Sequence, residues 1–352
     1  MKCLYHCTLL FLFTAPFCVA TAQTTRTDTA FQHLTQKAFF SEEQILPLTL
    51  RSDFQTLKHK KKKDAFQTAT VSFIGSDGQL IIEPVQIAAR GEFRREHCDM
   101  PSLTINFNVQ DSGPLSSLKK LKMVCSCNTR DYQQELLLKE FLVYKIYNLL
   151  TDMSFKVRLV KLNYVDTNRK DKADEQYAFF IEDLNALAKR NHCKPYEVKK
   201  PTPLITDRAQ STLLYIFQFM IGNLDWSVLN QHNVKLIQAR NDSLSAPYAV
   251  PYDFDFCGLV NAPYAFPQEE FNVEKVTDRV YRGHPANEAE VAIATQIFTD
   301  KKEAIYRLVN GFALLSEAQR KSMIKFLDEF YRTLNNKRDV RDIFINVSRK
   351  NR

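Results

Sequence analysis

Acidic and carboxamide side chains gather in one stretch of otherwise apolar sequence. Asp225 stands beside Trp226, the only tryptophan; Asn230, His232 and Asn233 follow, and then Asp253 and Asp255 within "PYDFDF". Carboxylates in core-like sequence are costly unless they are paired or hold a cation. Oxygen donors of this kind suit a hard divalent ion such as Mg2+, which favours phosphate co-ligands. Phosphoryl transfer needs the same set: a loop Asp to orient the attacking hydroxyl, an Asn some residues later on a metal, and a further Asp on the metal that bridges the phosphates. Taken singly, each of these residues fits a turn cap. The full order D…N…HN…DFD reads as a site.

The elements that must position these groups are legible around them. "IGNLDWSVLNQHNVKLI" reads as a helix closed by Gly222, a polar loop, and a strand that starts at "VKLI". "YAVPYDFDF" reads as the hairpin partner, after the turn "ARNDSLSAP". Pairing then brings Asp225, Asn233, Asp253 and Asp255 together. Strand alternation puts Asp253 and Asp255 on one side. Upstream, "ATVSFIG", "QLIIEPVQIAARG", "SLTINFNV" and "LKMVCSC" read as strands, the first two joined at Ser76–Gly78. "DYQQELLLKEFLVYKIYNLLTD" has helical spacing with a broad apolar face. Two further strands and a proline-rich connection over 194–203 lead into a mostly helical half. There Ser316 and Gln319 form the pattern of a capping box.

Composition bounds the rest. A chain of 352 residues with 45% hydrophobic content builds a sizeable core, and only 8 glycines argue against phosphate-binding glycine loops. "MKCLYHCTLLFLFTAPFCVATAQ" has the charge, apolar run and small-residue site of an export leader. No other segment is apolar for long enough to span a bilayer. The expected location is therefore periplasmic or secreted. Beyond the leader stand Cys98, Cys125, Cys127, Cys193 and Cys257, an odd set for an oxidising compartment. The expected pair is Cys98 with Cys127, joining neighbouring strands, and no CxxC spacing points to a zinc ribbon. Net charge is +8, concentrated in "LKHKKKKD", but no aromatic residues interleave that run, so nucleic acid is not expected as a partner.

The order "GNLD…HN…PYDFD", with "AARGEFRREHCDMPSLTINF", "LLLKEFLVYKIYNLL" and "LNYVD…YAFFIED" before it, resembles the spore-coat-protein-H (CotH) kinase family. That family consists of secreted, atypical members of the protein-kinase-like fold. The resemblance covers about Leu48 to Gly258. It implies an α+β, bilobal protein-kinase-like fold: a lead-in over 23–47, a β-rich N-lobe over 48–193, and a mainly helical C-lobe over 194–352. It also implies Mg2+ or Mn2+ and ATP as cofactors. Asp225 takes the catalytic role, with Asn233 or Asn230, Asp253 and Asp255 on the metal. The phosphate clamp falls to Arg90, or to Lys122 with Glu135 or Glu140. Arg94 and Arg95 add to a basic cluster around Arg90. The implied reaction moves the γ-phosphate to a hydroxyl on an envelope or secreted protein or glycan. The alternatives are a non-catalytic, pseudokinase-like binding protein of the cell envelope, a metal-dependent nucleotidyl transferase or hydrolase using the same carboxylates, and a purely structural adhesin-like protein.

Overall fold

A computed structural model describes residues 35–60, 65–75, 78–107, 115–169, 172–199 and 201–347. The expected leader, part of the lysine-rich run and the start of the Ser76 turn lie outside them. The described chain opens with α1 (Gln36–Ser41), capped by the Thr35 hydroxyl, which buries Phe39 and Phe40. β1 (Leu46–Ser52), α2 (Phe54–Lys60), β2 (Gln67–Ile74), β3 (Leu80–Arg90), α3 (Glu92–His97), β4 (Ser102–Asn106) and β5 (Lys120–Cys125) follow. Then come α4 (Asp131–Leu150), β6 (Val157–Asp166), β7 (Lys172–Ile181), α5 (Leu184–Arg190) and β8 (Cys193–Pro195). The remainder is α6 (Arg208–Ile221), β9 (Val234–Ala239), β10 (Tyr248–Pro251), α7 (Glu288–Asn310), α8 (Glu317–Asn335) and α9 (Lys337–Val340).

The first seven strands close on themselves in the order β1-β2-β3-β4-β5-β7-β6. Closure depends on β1, which pairs antiparallel with β2 and parallel with β6, Leu46 opposite Val160 and Ser52 opposite Asp166. This corrects the expected bilobal protein-kinase-like arrangement of a β-rich N-lobe and a helical C-lobe. The molecule has a closed, mixed seven-stranded barrel with helices, because "LPLTLRS", of which only Leu46 and Pro47 fell in the expected lead-in, is a strand that joins the two ends of the sheet. Closure removes exposed sheet edges. Inward-facing side chains fill the barrel, and Leu50, Val71, Ile87, Leu103, Met123 and Leu162 are wholly buried.

Helix α4 is buried on nearly every side, including Lys139 and Glu140, because it packs against the barrel strand β7 on one flank and α7 on another. Helix α6 begins where the Asp207 carboxylate accepts the Gln210 N–H and ends at Gly222 in the left-handed region, φ 63°. β10, β9 and β8 form a three-stranded antiparallel sheet. A full reciprocal capping box starts α7 at Asn287 and Glu290, whereas Ser316 caps α8 through the Gln319 N–H. The described residues form one compact unit. No described helix is long and apolar enough to cross a membrane.

Candidate functional site

Two close approaches bring the polar groups together. Register puts Pro251 opposite Val234, and the Tyr252 N–H donates to the Asn233 carbonyl at 2.9 Å. Gly258 then lies against the end of α6, where its N–H donates to the Gly222 carbonyl at 3.0 Å. A Cβ on Gly258 would stand 2.8 Å from the Val276 carbonyl oxygen, so only glycine lets the chain pass there. The Asp225 loop and the segment from Tyr252 to Gly258 are thus fixed side by side.

Asp225 is held from several directions. Its Oδ1 accepts from His232 Nε2 at 2.8 Å, and its Oδ2 accepts from Asn233 Nδ2 at 2.9 Å. Asn233 Nδ2 also donates to the Asp225 carbonyl at 2.8 Å, and Gln268 Nε2 reaches Oδ1 at 3.4 Å. A carboxylate only accepts, so Nε2 of His232 carries the hydrogen. Both N–H groups of the Asn233 amide face Asp225, which leaves its Oδ1 for another ligand. Arg282 Nη1 donates to the carbonyls of Leu224 and Trp226, one on each side of Asp225, and its guanidinium lies over the Trp226 ring. Trp226 is buried and donates from Nε1 to the Asn223 carbonyl, so it packs the loop from beneath. Asn230 sits exposed on the turn, its N–H on the Ser227 hydroxyl. Of the two asparagines, Asn233 is the one that meets Asp225.

Asp253 and Asp255 do not lie on a strand. β10 stops at Pro251, and Asp253 adopts φ 64°, so strand alternation no longer applies. Left-handed backbone is uncommon for Asp and marks a position fixed by its surroundings. Asn233 is also left-handed, φ 51°. The Asp253 N–H donates to the Tyr144 hydroxyl at 2.8 Å, and its carboxylate is half-buried. Asp255 turns inward. Its Oδ2 meets Arg94 Nη2 at 3.1 Å and accepts from the Tyr264 hydroxyl at 3.2 Å.

Arg94 joins this centre to α4. The same Nη2 reaches Glu140 at 3.0 Å, and Nη1 donates to the Cys125 carbonyl at 2.9 Å. Glu140 is completely buried and its Oε1 has no partner among the described residues. Burial pushes the Glu140 carboxyl well above its usual range, Arg94 opposes this, and Asp255 and Asp253 add to it. Burial likewise raises Asp255 against the pull of Arg94. One cation between two buried carboxylates cannot balance both. Cys98 and Cys127 form a disulfide that ties the end of α3 to the chain just beyond β5.

On the barrel side, a pocket of about 290 Å³ opens between β5, the end of β7 and the β9–β10 hairpin, with Lys122, Lys235 and Tyr252 on its walls. The Lys122 and Lys235 ammonium groups lie 5.4 and 5.7 Å from the Tyr252 ring centre. Partial burial, with the like charges of Arg90 and Lys235, brings the Lys122 amine down to about 8, while Asp253 and Asp183 pull weakly the other way. Neither Lys122 nor Lys235 has a carboxylate partner among the described residues. Lys122 does not pair with either expected helix acid: Glu140 belongs to Arg94, and Glu135 acts on the neighbouring Lys139.

No protein-family model and no curated protein matches this chain. The assignment therefore rests on the geometry. Sequence reading reached Asp225, Asn233 and Asp253 through their local order. It placed Arg94 only in a basic cluster and left out Lys235. Arg94 sits on a six-residue helix without periodicity, and its partners lie 46 and 161 residues away, so no local pattern announces them. Lys235 carried one signal, its place directly after "HNV" on the strand that bears Asn233.

Proposed function

We propose that this chain is a metal-dependent phosphotransferase of the cell exterior, related to the spore-coat-protein-H kinases in chemistry though not in the arrangement of its sheet. The observation that carries this reading is a set of cations without ion partners among the described residues, Lys122 and Lys235 with Arg90 nearby, beside the half-buried Asp253 and the Asp225–Asn233 loop. Cations that repel one another beside acidic groups call for a bound anion that a divalent metal can also hold, and a polyphosphate meets both demands.

The donor set fits Mg2+ or Mn2+. Asp253 offers a carboxylate and Asn233 an unengaged amide oxygen, both hard donors. Among the described residues no three His, Cys, Asp or Glu side chains gather as a metal cage. Mg2+ does not require one, since one or two protein oxygens with substrate phosphates and water complete its shell. Asp255, held by Arg94 and Tyr264, supports the centre instead of facing the ligand. A bound metal would neutralise phosphate charge as the transferred group moves.

In the transfer, a hydroxyl oxygen of a protein or glycan attacks the terminal phosphorus. The bond from that phosphorus to the bridging oxygen breaks, and a nucleoside diphosphate leaves. The hydroxyl proton passes to Asp225, whose side chain keeps part of its exposure. Arg282, Asn233 and His232 hold that carboxylate in place. The leader-like N-terminus and the Cys98–Cys127 disulfide support an oxidising location.

The test is nucleotide binding with Mg2+ or Mn2+, followed by labelled γ-phosphate transfer to envelope extracts. Metal-dependent stabilisation lost in Asp253→Asn, with transfer lost in Asp225→Ala, is the expected result. Undiminished transfer by Asp225→Ala overturns the role given to that residue. Tight binding without transfer in the wild type favours the second reading, a non-catalytic binding protein, which the engagement of Asp255 by Arg94 also suits.

A further inference from the structure

The end of the barrel away from Lys122 holds a second cavity, of about 530 Å³. Lys122 lies near the start of β5, and its pocket reaches the end of β7. The second cavity takes Asn128 and Thr129 from beyond β5 and Asp174 and Gln176 from the start of β7. Its most buried members are Met100, Asp166 and Gln176. Gln176 is 5% exposed, and its Oε1 is buried with no partner among the described residues. Buried polar groups in native proteins are nearly always satisfied, so an open amide on a cavity wall calls for a partner from outside the chain. Asp166 Oδ1 accepts the Asn168 N–H at 3.1 Å, which leaves Oδ2 as an acceptor. Asn128 Oδ1 accepts the Arg130 N–H at 3.0 Å, which leaves Nδ2 as a donor. Asp174 and Lys58, both half-buried, add an acceptor and a donor. The exposed members are Asp99, Arg169 and His59, with the neutral Gln55 and Thr129. Among the described residues, none of these charged groups forms an ion pair with another.

Two features hold the cavity in shape. Asp174 and Gln176 are two residues apart on β7, so they share a side and stand about 7 Å apart. Register places Asp174 opposite Tyr164, two residues before Asp166 on β6, so Asp166 is its diagonal neighbour. The three side chains make a row about 14 Å long. The Cys98–Cys127 disulfide adjoins the other members, since Asp99 and Met100 follow one cysteine and Asn128 and Thr129 the other. The Met100 N–H also donates to the Cys127 carbonyl at 3.1 Å. That part of the wall is fixed before a ligand arrives, which lowers the cost of binding.

We infer that this cavity is a carbohydrate site and takes a short, neutral oligosaccharide. A row of that length is too long for one ammonium group or one metal ion, and no three described His, Cys, Asp or Glu side chains gather as a metal cage. A polyanion would meet Asp99, Asp166 and Asp174, and a polyamine would meet Lys58 and Arg169. A hydroxyl donates once and accepts twice, so successive sugar hydroxyls serve carboxylate, amide and ammonium alike. Met100 gives an apolar spot for the C–H face of a ring. The mouths of β-barrels are among the usual places for ligand sites. The inference stands apart from the phosphotransferase reading, and either can fail alone.

The test is a screen of the full-length mature protein, with its disulfide formed, against an array of neutral, sialylated and sulfated glycans. Neutral glycans should be retained, and calorimetry with the best neutral trisaccharide should give saturable one-to-one binding with a Kd of about 1 mM or tighter. Gln176→Leu and Asp174→Ala should each weaken that binding by about tenfold, the loss of one hydrogen bond to the sugar. Circular dichroism checks that both variants are folded, and the half-buried Lys58→Met, with a similar expected loss, serves if the buried Gln176→Leu is not. Retention of charged glycans alone, or of none, overturns the inference. So does a trisaccharide whose affinity is the same in the wild type and in the folded variants, because it then binds elsewhere.

Discussion

At the Asp225 loop, one imidazole and two carboxamides surround the carboxylate, and its side chain keeps 24% of its exposure while the neighbouring His232 keeps 55%. At Arg94, the carboxylates of Glu140 and Asp255 keep 0% and 10%, and a single guanidinium stands between them. Both places gather acidic side chains, and they lie on neighbouring segments of the same chain. The first leaves a charge where solvent reaches it, at small cost to the fold. The second removes charge from water and makes the fold depend on one residue. Acidic residues left open to a ligand and acidic residues that hold the centre together therefore differ in their access to water, not in their spacing in sequence.

Substitutions can break this contrast, and the largest effect belongs to Arg94. Arg94→Met leaves two buried carboxylates without their cation, so about 3–5 kcal/mol of stability should be lost, read as a shift in the urea midpoint. A loss under 1 kcal/mol would show that the cluster is hydrated and not buried. Next comes the disulfide, which closes a sequence separation of 29 residues. Replacing Cys98 and Cys127 together by Ser should cost about 2–4 kcal/mol by the same measurement. Asp225→Asn should move stability by less than about 1 kcal/mol, since Asp225 and its partner His232 both keep contact with solvent, while labelled phosphate transfer falls by about 10²-fold or more. Equal losses of stability at Asp225 and Arg94 would erase the distinction between the two sites.

The smallest effect concerns a thiol. Burial pushes Cys125 from 9.0 up to about 11. Its folded value lies above its unfolded one, so its contribution to stability is complete below pH 9 and declines as pH rises toward 11. Cys125→Ala should flatten the fall of the urea midpoint across that window. The same burial predicts that Cys125 and Cys257 resist iodoacetamide at pH 8 in the native protein and react only after unfolding. Rapid native labelling of either would contradict their buried placement.

Much of this was legible in the chain because it is encoded locally. β-Branched and aromatic runs marked β2 to β5, Asp207 and Gly222 bounded α6, and the order of Asp225, Asn233 and Asp253 marked the loop and hairpin. Three things were not legible, each for a physical reason. Barrel closure depends on a parallel pairing of β1 with β6, more than a hundred residues apart, and register of that kind leaves no local trace. The chain leaves the strand at Pro251 and turns left-handed at Asp253, so alternation does not place Asp253 and Asp255. Arg94 and Lys122 are both cations near strand ends in sequence, and only the packing of α3 against the barrel gave Glu140 to the former.

The position of the disulfide has a consequence for the buried cluster. Helix α3 has six residues, too few to persist alone, and its C-terminal end is tied through Cys98 to Cys127. Arg94 is carried on that helix. The same short segment thus carries both the cross-link and the cation of the buried cluster, so cutting the one should loosen the contacts of Arg94 with Glu140 and Asp255.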